Sequence, residues 1–392
     1  TNDSLKTAAG AAIASLAYGY YPSGRLKTKT TSGLTGSTTQ SYTYDQAGRL
    51  NSWNDGAAST AYAYDGNGNL TADGTNTATY NQRNQLTSQN TTATYTYSPR
   101  GTRTSSTSGS NTSTATYDAF DQLTAQAGKT YTYDALGRLA QTAGHSFTYD
   151  ATSSALTSDG TEKYTRTPGG SLTTIGANGA AAFAYTDRHG DLVGSFTATA
   201  SITSGSSAYD PWGKPTATSG TTHSIGYQGG WTDSATGQIS TASRWYDPAS
   251  AGFTSRDTAN LEPVTSSIAN RYSYGAADPL NNTDPTGHNP NPCEPDGATP
   301  NSDAPTPPRA PMSHRTDIDN GPYYDPGLWN TFSYMQGSAG QHVNGEWAYW
   351  NRVSDYISKQ RWDAFKGTIA GVPAYSVPGI GGPAGGIPAP AG

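Results

Sequence analysis

The sequence predicts an all-β protein built from tandem hairpins, and three observations lead to that fold class. One ten-residue stretch, SYTYDQAGRL at residues 41–50, returns many times along the chain. Its tyrosines Tyr42 and Tyr44 stand two residues apart, so in a strand both rings lie on one face. Asp45 and Gly48 then supply turn chemistry, because Asp bonds nearby backbone N–H groups and Gly accepts a positive φ. Each copy therefore predicts a strand, a tight turn and a second strand.

Copies of this hairpin follow one another at intervals of 15 to 24 residues. A single hairpin cannot bury its own ring face, so we expect neighbouring copies to stack and to stabilise one another. The nine tyrosines on which the copies align are Tyr20, Tyr44, Tyr64, Tyr80, Tyr97, Tyr117, Tyr133, Tyr149 and Tyr164.

The composition by itself is typical of a low-complexity linker, with 46 Gly, 24 Pro and only 13% charged residues. The periodicity argues against that interpretation, and 27 Tyr with 8 Trp supply large rings that can pack in layers. The net charge is −6, so we expect no direct nucleic-acid binding by the repeat array. No apolar run approaches the ~20 residues that a membrane span requires.

Cysteine and histidine predict neither a disulfide framework nor a metal centre. Cys293 is the single cysteine, so no intramolecular disulfide can form. His145, His189 and His223 lack the spacing of a metal site, and we predict no metal and no cofactor. The chain begins with Thr1 rather than Met, from which we expect a processed chain or a fragment.

The pattern along the chain predicts six parts. Residues 1–19 are an alanine-rich lead-in that suits either a short helix or a capping strand. Within residues 312–370, apolar residues from Val343 to Ile357 recur at helical spacing. We therefore expect this segment to be partly helical or disordered. The predicted parts are the lead-in at 1–19, the repeat array at 20–182, a closing block at 183–288, a proline-rich linker at 289–311, a variable segment at 312–370 and a Gly/Pro-rich tail at 371–392.

The closing block carries a more specific pattern than the array. It contains YTDRHGDLVG at 185–194, AYDPWGKP at 208–215, a segment at 226–257 that ends in SRD, and NRYSYGAADPLNNTDPTGH at 270–288. These segments, in this order and after the tyrosine–aspartate repeats, resemble the Rhs/YD-repeat family and its Rhs repeat-associated core. The resemblance covers roughly residues 20–288.

The resemblance implies a β-sheet wound as a spiral into a hollow shell. In this family the shell encloses a C-terminal polypeptide, frequently a toxin, and the core block plugs one end. Related shells occur in insecticidal toxin complexes and in the extracellular part of teneurins. The partners implied are the chain's own C-terminal segment as cargo, a further shell-forming chain or an N-terminal delivery region, and a target cell surface. The implied location is outside a bacterial cell or on its surface.

The resemblance also implies self-cleavage by two aspartates. Asp257, in Ser255-Arg256-Asp257, and Asp284, in DPTG, match the two motifs with which the family cuts its own chain, and the bond cut would be His288–Asn289. Two neighbouring carboxylates can share one proton, so that one activates water while the other polarises the peptide carbonyl. Arg256 would hold one carboxylate ionised or bind the developing oxyanion.

The sequence departs from the family pattern at the site itself. Thr258 and Asn260 stand where the first motif usually has Pro and Gly, and His288 stands where the second is followed by a large apolar residue. The plain alternative is that Asp257 and Asp284 are turn residues, and Asp278 in AADPLNN is a rival for the second aspartate.

Two other classes of function stay open at this point: a cell-surface adhesion module, and a carbohydrate-binding repeat protein without catalysis. Trp212 and Trp231 are the aromatic residues that a sugar site would use, although we expect them to fill the plug. Whether the chain is an enzyme, and what residues 312–370 do, the sequence leaves undecided.

Overall fold

The architecture is almost entirely β, as predicted. A computed structural model describes residues 2–168, 170–177, 180–197, 199, 203–259, 265–288 and 291–292. The helical elements there are short: α1 (Ser266–Ala269) and two 3₁₀ turns at Tyr227–Gly229 and Gly275–Ala277. The predicted variable segment and its helix, the tail, Cys293 and nearly all of the linker lie outside the described residues.

The first sheet has 16 antiparallel strands that pair in chain order. Its strands are β1 (Asn2–Lys6), β2 (Ala12–Tyr20), β3 (Leu26–Ser32), β4 (Thr39–Tyr44), β5 (Leu50–Asn54), β6 (Ser59–Tyr64), β7 (Leu70–Asp73), β8 (Asn76–Tyr80), β9 (Leu86–Gln89), β10 (Ala93–Tyr97), β11 (Arg103–Ser108), β12 (Asn111–Tyr117), β13 (Leu123–Gln126), β14 (Lys129–Tyr133), β15 (Leu139–Thr142) and β16 (His145–Ser146).

Three further sheets follow, again with neighbours in chain order. The second sheet has eight strands: β17 (Thr148–Tyr149), β18 (Leu156–Ser158), β19 (Lys163–Arg166), β20 (Leu172–Ala177), β21 (Ala180–Thr186), β22 (Leu192–Phe196), β23 (Gly205–Tyr209) and β24 (Pro215–Gly220). The third has four, β25 (Trp231–Thr232), β26 (Ile239–Ser240), β27 (Trp245–Asp247) and β28 (Gly252–Phe253), and the last has two, β29 (Asn282–Thr283) and β30 (Asn291–Pro292).

The repeat turn has one construction. In the copy after β4, Gly48 N–H donates to Asp45 C=O at 3.0 Å, and Asp45 Oδ1 accepts the backbone N–H of Arg49 at 2.9 Å. Gly48 has φ +82°, a conformation that favours glycine. The pairing slips by one residue at Tyr44, which faces Leu50, and this bulge ends the strand.

The same slip occurs twelve times in the described strands, whereas the sequence predicts nine copies. The three extra turns were missed because they begin at Lys6, Thr186 and Tyr209, in segments assigned to the lead-in or to the closing block. One alignment was also wrong, since the strand-end residue of the ninth copy is Arg166 and not Tyr164. The paired residues are Lys6–Ala12, Tyr20–Leu26, Tyr44–Leu50, Tyr64–Leu70, Tyr80–Leu86, Tyr97–Arg103, Tyr117–Leu123, Tyr133–Leu139, Tyr149–Leu156, Arg166–Leu172, Thr186–Leu192 and Tyr209–Pro215.

The ends of the array extend beyond the predicted limits. The lead-in is not helical: β1 and β2 occupy it and pair with the first copy. At the other end β21 crosses the predicted limit between residues 182 and 183, and hairpin pairing continues to β24. The division of the chain into array and closing block by function stays a prediction.

Tyrosine hydroxyls link each hairpin to the one before it. Tyr64 Oη donates to Leu50 C=O at 2.8 Å, and Tyr80 Oη donates to Leu70 C=O at 2.9 Å. The turn arginine also packs on the next tyrosine ring, as Arg49 does on Tyr64 at 4.6 Å. The repeated ring, turn and leucine are therefore the contacts through which neighbouring copies stabilise one another.

The closing block covers the inner face of the array. The tryptophans of the block meet aromatic rings of the array edge to face, with centroids 6.2 Å apart for Trp212 and Tyr62 and 5.1 Å apart for Trp245 and Tyr131. Buried leucines of the array join two apolar clusters with residues of the closing block. Leu26 and Leu50 belong to the cluster that includes Trp212, and Leu123, Leu139, Leu156 and Leu172 belong to the one that includes Trp231 and Trp245.

The last strands of the second sheet return to the first strands of the first sheet. Lys29 on β3 forms a salt bridge with Asp187, which follows β21. Thr35 N–H donates to Ser206 Oγ on β23 at 2.9 Å. The end of the second sheet therefore lies against the beginning of the first.

Candidate functional site

The two predicted aspartates come together although 27 residues separate them. Asp257 lies beyond β28, where Ser255 forms a β-bridge with Thr102 of the array, and Asp284 follows β29. Both side chains are only 2% exposed. One nitrogen, Arg244 Nη2, lies 2.9 Å from Asp257 Oδ2 and 3.4 Å from Asp284 Oδ2. The two carboxylates thus share a single buried cation.

Arg244 is the site residue that the sequence analysis missed. It lies between β26 and β27, is 5% exposed, and stacks on Phe253 with the guanidinium carbon 3.5 Å from the ring centroid. Its Nη1 donates to Arg271 C=O at 2.8 Å, and its Nε donates to Gly287 C=O. Burial lowers the pKa of Arg244 to about 10, so it stays charged at neutral pH. Arg244 lies in the segment at 226–257 that carries the resemblance, but only its buried neighbours identify it as a partner of the two aspartates.

Arg256 is exposed, whereas Ser255 and Asp257 on either side of it are buried. The backbone N–H of Arg256 donates to Gly101 C=O at 3.2 Å. The structure gives Arg256 no ion pair with Asp257 or Asp284 among the described residues.

The surroundings shift the pKa values of the two carboxyl groups in opposite directions. Burial works to raise the pKa of Asp257, but the hydrogen bond from His288, the charge of Arg244 and the N–H of Ala259 outweigh it and hold that pKa below its usual value. At Asp284 burial is the larger effect and raises the pKa above its usual value, against Arg244 and the N–H of His288. One carboxyl group favours the ionised form and the other is easier to protonate.

His288 contacts both aspartates. Its backbone N–H donates to Asp284 Oδ1 at 3.0 Å, and its ring Nδ1 lies 2.9 Å from Asp257 Oδ1. Beyond it, β30 pairs with β29. Asn289, on the far side of the predicted cleavage bond, lies outside the described residues, as does Asn260.

A cavity of about 310 Å³ adjoins Asp284 and Pro285. Gln228 also lines it, and its Oε1 accepts the backbone N–H of Asp284 at 3.4 Å. Aromatic rings, among them Tyr227 and Trp231, form other parts of its wall. This volume has room for several water molecules beside Asp284.

The other Asp-Pro aspartates have the plain role of turn residues. Asp210 Oδ1 accepts the backbone N–H groups of Trp212 and Lys214, both at 2.9 Å. Asp278, the rival named above, pairs with Arg25 at 3.2 Å and contacts no other aspartate among the described ion pairs and hydrogen bonds.

The remaining candidate residues have ordinary structural partners. His145, His189 and His223 each lie beside a carboxylate, and the described residues contain no cluster of three or more His, Cys, Asp or Glu side chains suited to a metal ion. Trp212 and Trp231 are both buried, and Trp231 forms part of the wall of the cavity beside Asp284. In the described part of the chain, no helix combines the length and apolar character needed to cross a membrane.

Together these features define a class of protein: a spiral antiparallel sheet of tandem tyrosine–aspartate hairpins, filled by an aromatic closing block that carries two paired aspartates. The model of the teneurin YD-shell family matches residues 7–93 and 78–158, within the hairpin array. The hairpins of this chain are therefore YD repeats, and over residues 7–158 the chain matches the teneurin YD-shell family.

Similarity to individual proteins extends over much of the chain. The tRNA3(Ser)-specific nuclease WapA of Bacillus spizizenii is 30% identical over 281 residues, which is 69% of this chain and 11% of the relative. This chain therefore spans about a tenth of that relative's length.

Two solved structures show a distant likeness, each with 14% identity and a TM-score of 0.34. They are the Tc holotoxin pore of Photorhabdus luminescens, matched over 74% of this chain, and a TcdB2–TccC3 complex, matched over 73%; each match covers 20% of the solved chain.

Proposed function

We propose that this chain is a shell that encloses its own C-terminal polypeptide and releases it by aspartate-dependent self-cleavage at His288–Asn289. The observation that carries the proposal is the burial of Asp257 and Asp284 around Arg244, at the point where the chain leaves the closing block. Two carboxylates buried around one guanidinium are costly to maintain, and a structural turn needs neither the second carboxylate nor the arginine.

The opposite charge preferences of the two carboxyl groups fit acid–base chemistry. The protonated Asp284 would donate a hydrogen bond to the carbonyl of the bond to be cut, while the ionised Asp257 would draw the proton from an attacking water. The cavity beside Asp284 gives that water a place. Its oxygen adds to the His288 carbonyl carbon, the C–N bond breaks, and the Asn289 nitrogen leaves as an amine after taking up a proton.

The proposed cargo is the polypeptide that follows His288. The given sequence continues for 104 residues beyond His288, 392 minus 288. The name of the relative WapA is that of a nuclease, which supports a toxin as cargo without identifying its activity. Containment of a toxin until delivery would place the protein outside the producing cell, with a target cell surface and a further shell-forming or delivery chain as partners.

The test is the intact mass of the purified chain under denaturing conditions, beside four single variants. We expect the parent to give two species, residues 1–288 and 289–392. Asp257→Asn and Asp284→Asn should stay uncut. Arg244→Gln should also stay uncut or slow strongly, whereas the matched control Arg256→Gln should cut like the parent, because Arg256 is exposed and away from the pair.

An uncut parent chain would contradict self-cleavage and would favour the alternative function of a cell-surface adhesion module. Cleavage that Arg256→Gln blocks but Arg244→Gln spares would contradict the assignment of the arginine.

A further inference from the structure

The ordinary repeat turn uses its aspartate and its fifth residue as a pair. In the turn after β4, Arg49 returns its side chain to the aspartate of the same turn, with Nε 2.7 Å from Asp45 Oδ2. The turn after β14 repeats this contact, with Arg138 Nε 2.7 Å from Asp134 Oδ2. The fifth residue thus closes its own turn.

In the turn at Asp284, the backbone N–H of the fifth residue bonds the aspartate as in the ordinary repeat turn, but the side chain of that fifth residue makes a different contact. Gly287 has φ +72°, and His288, the fifth residue, donates its N–H to Asp284 Oδ1 as Arg49 does to Asp45. The His288 ring, however, leaves its own turn and bonds Asp257 instead. Asp284 Oδ2 is turned to Arg244.

Asp257 fixes which nitrogen of His288 carries the proton. Besides the ring, Asp257 Oδ1 accepts the N–H of Ala259 at 2.7 Å, and Oδ2 faces Arg244 at 2.9 Å. These donors favour the ionised carboxylate, which can only accept hydrogen bonds. His288 Nδ1 must therefore be the donor, and in the neutral ring the lone pair lies on Nε2.

The same contacts make Asp257 a weak base. Both of its oxygens are engaged by donors, and its pKa lies below the usual value, so it has little tendency to take a proton from water. His288, by contrast, is one-third exposed, with its side chain 34% accessible, so water reaches its ring.

The geometry points to His288 as the general base of the self-cleavage, oriented by Asp257 through Nδ1. This inference rests on the proposed function and changes the role of Asp257 from base to positioning residue. His288 Nε2 takes a proton from a water hydrogen-bonded at about 3 Å, and the water oxygen adds to the His288 carbonyl carbon, which is bonded to the Cα that carries the ring. As the C–N bond breaks, the proton passes from Nε2 to the departing Asn289 amine and the ring is neutral again.

The inference explains why a histidine is compatible with the site where the family pattern has a large apolar residue. It predicts that replacing His288 by a large apolar residue does not speed self-cleavage of this chain, because the side chain that activates water would be lost.

The experiment follows the cut fraction with time by intact mass, for the parent, His288→Leu and His288→Ala, with and without added imidazole. We expect His288→Leu and His288→Ala to lose cleavage by about 10²-fold or more, the usual contribution of a general base. Imidazole should restore cleavage in His288→Ala, where the ring has left a space, and should have little effect on the parent. The thermal unfolding midpoint of each variant shows whether that variant is folded. Two variants are used so that the test can still be made if one of them does not fold.

Each outcome decides between the two proposals. If His288→Leu cuts at the parental rate or faster, or if folded His288→Ala is not rescued by imidazole, His288 is not the base; Asp257 then acts directly and the proposed function survives. If the parent itself is never cut, both the proposed function and this inference fail.

Discussion

At the scale of single residues, neighbours decide what each aspartate does. Asp257, Asp278 and Asp284 are all buried within the closing block, and two of them precede a proline. Asp278 pairs with one partly exposed arginine, while Asp257 and Asp284 share a fully buried one. Residue type and local motif therefore do not separate a turn aspartate from a paired one, whereas their buried partners do.

The stability of the fold should depend on pH through Asp278. Burial raises the pKa of Asp278 to about 6, from an ordinary 3.8. Because the folded-state pKa is the higher one, its favourable contribution is complete below pH 3.8 and is lost as the pH rises through about 6. Relative to Asp278→Asn, which cannot titrate, the parent should lose at most about 3 kcal/mol between pH 4 and pH 7.

The measurement is the free energy of unfolding by denaturant for both proteins at several values of pH across that range. A difference between parent and variant that stays constant with pH would contradict the raised pKa.

At the scale of elements, the hairpin is held by the same few atoms in copy after copy. The leucine that opens the second strand is buried, and the tyrosine that ends the first strand donates its hydroxyl to the leucine carbonyl of the copy before. Loss of one leucine should therefore be felt by two neighbouring copies.

Two leucines of one copy test the contribution of this burial. Leu139 opens β15 and is 2% exposed, whereas Leu136 lies in the preceding turn and is 38% exposed. Leu139→Ala should lower the free energy of unfolding by about 2–5 kcal/mol, because it leaves a cavity in the core. Leu136→Ala should change it by no more than about 0.5 kcal/mol. Equal effects of the two substitutions on denaturant unfolding would contradict the assigned burial.

At the scale of the whole molecule, the described residues between 2 and 288 belong to one folded unit, whose buried apolar residues form two clusters. The tryptophans of the closing block contact rings of the array, and strands from the end of the second sheet contact the beginning of the first. Such contacts couple the block to the sheet, so we expect array and block to unfold in one transition.

Trp245 is the residue with which to test that coupling. It is buried, packs on Tyr131 and donates its indole N–H to Tyr133 at 3.0 Å. Trp245→Ala should cost about 3–5 kcal/mol and should lower the midpoint of the far-UV circular dichroism transition, which reports the strands. Phe120→Ala, at an exposed position of the array, is the control that should leave the midpoint nearly unchanged. A strand transition that stays at the parental midpoint in Trp245→Ala would show that array and block unfold independently.

The sequence by itself determined the hairpins, because the residues that form each hairpin lie close together in the chain. The alternation of tyrosines, the Asp turn, the positive φ of Gly48 and the recurring leucine all act within about ten residues. Asp257 and Asp284 became candidates through the resemblance to the Rhs/YD-repeat family, since the local pattern alone is typical of turn aspartates. The local pattern failed where a copy had lost its tyrosine, as at Lys6 and Thr186, since the backbone turn persists there without the side chain that marks it.

Only the tertiary structure decided which residues share the site. Arg244 reaches Asp284 across 40 residues of chain, and the array reaches the closing block across more than a hundred. Arg256, adjacent to Asp257 in sequence, is exposed instead of facing the pair, and the His288 ring bonds an aspartate outside its own turn. Contacts of this kind depend on how distant segments pack, which no local pattern of residues specifies.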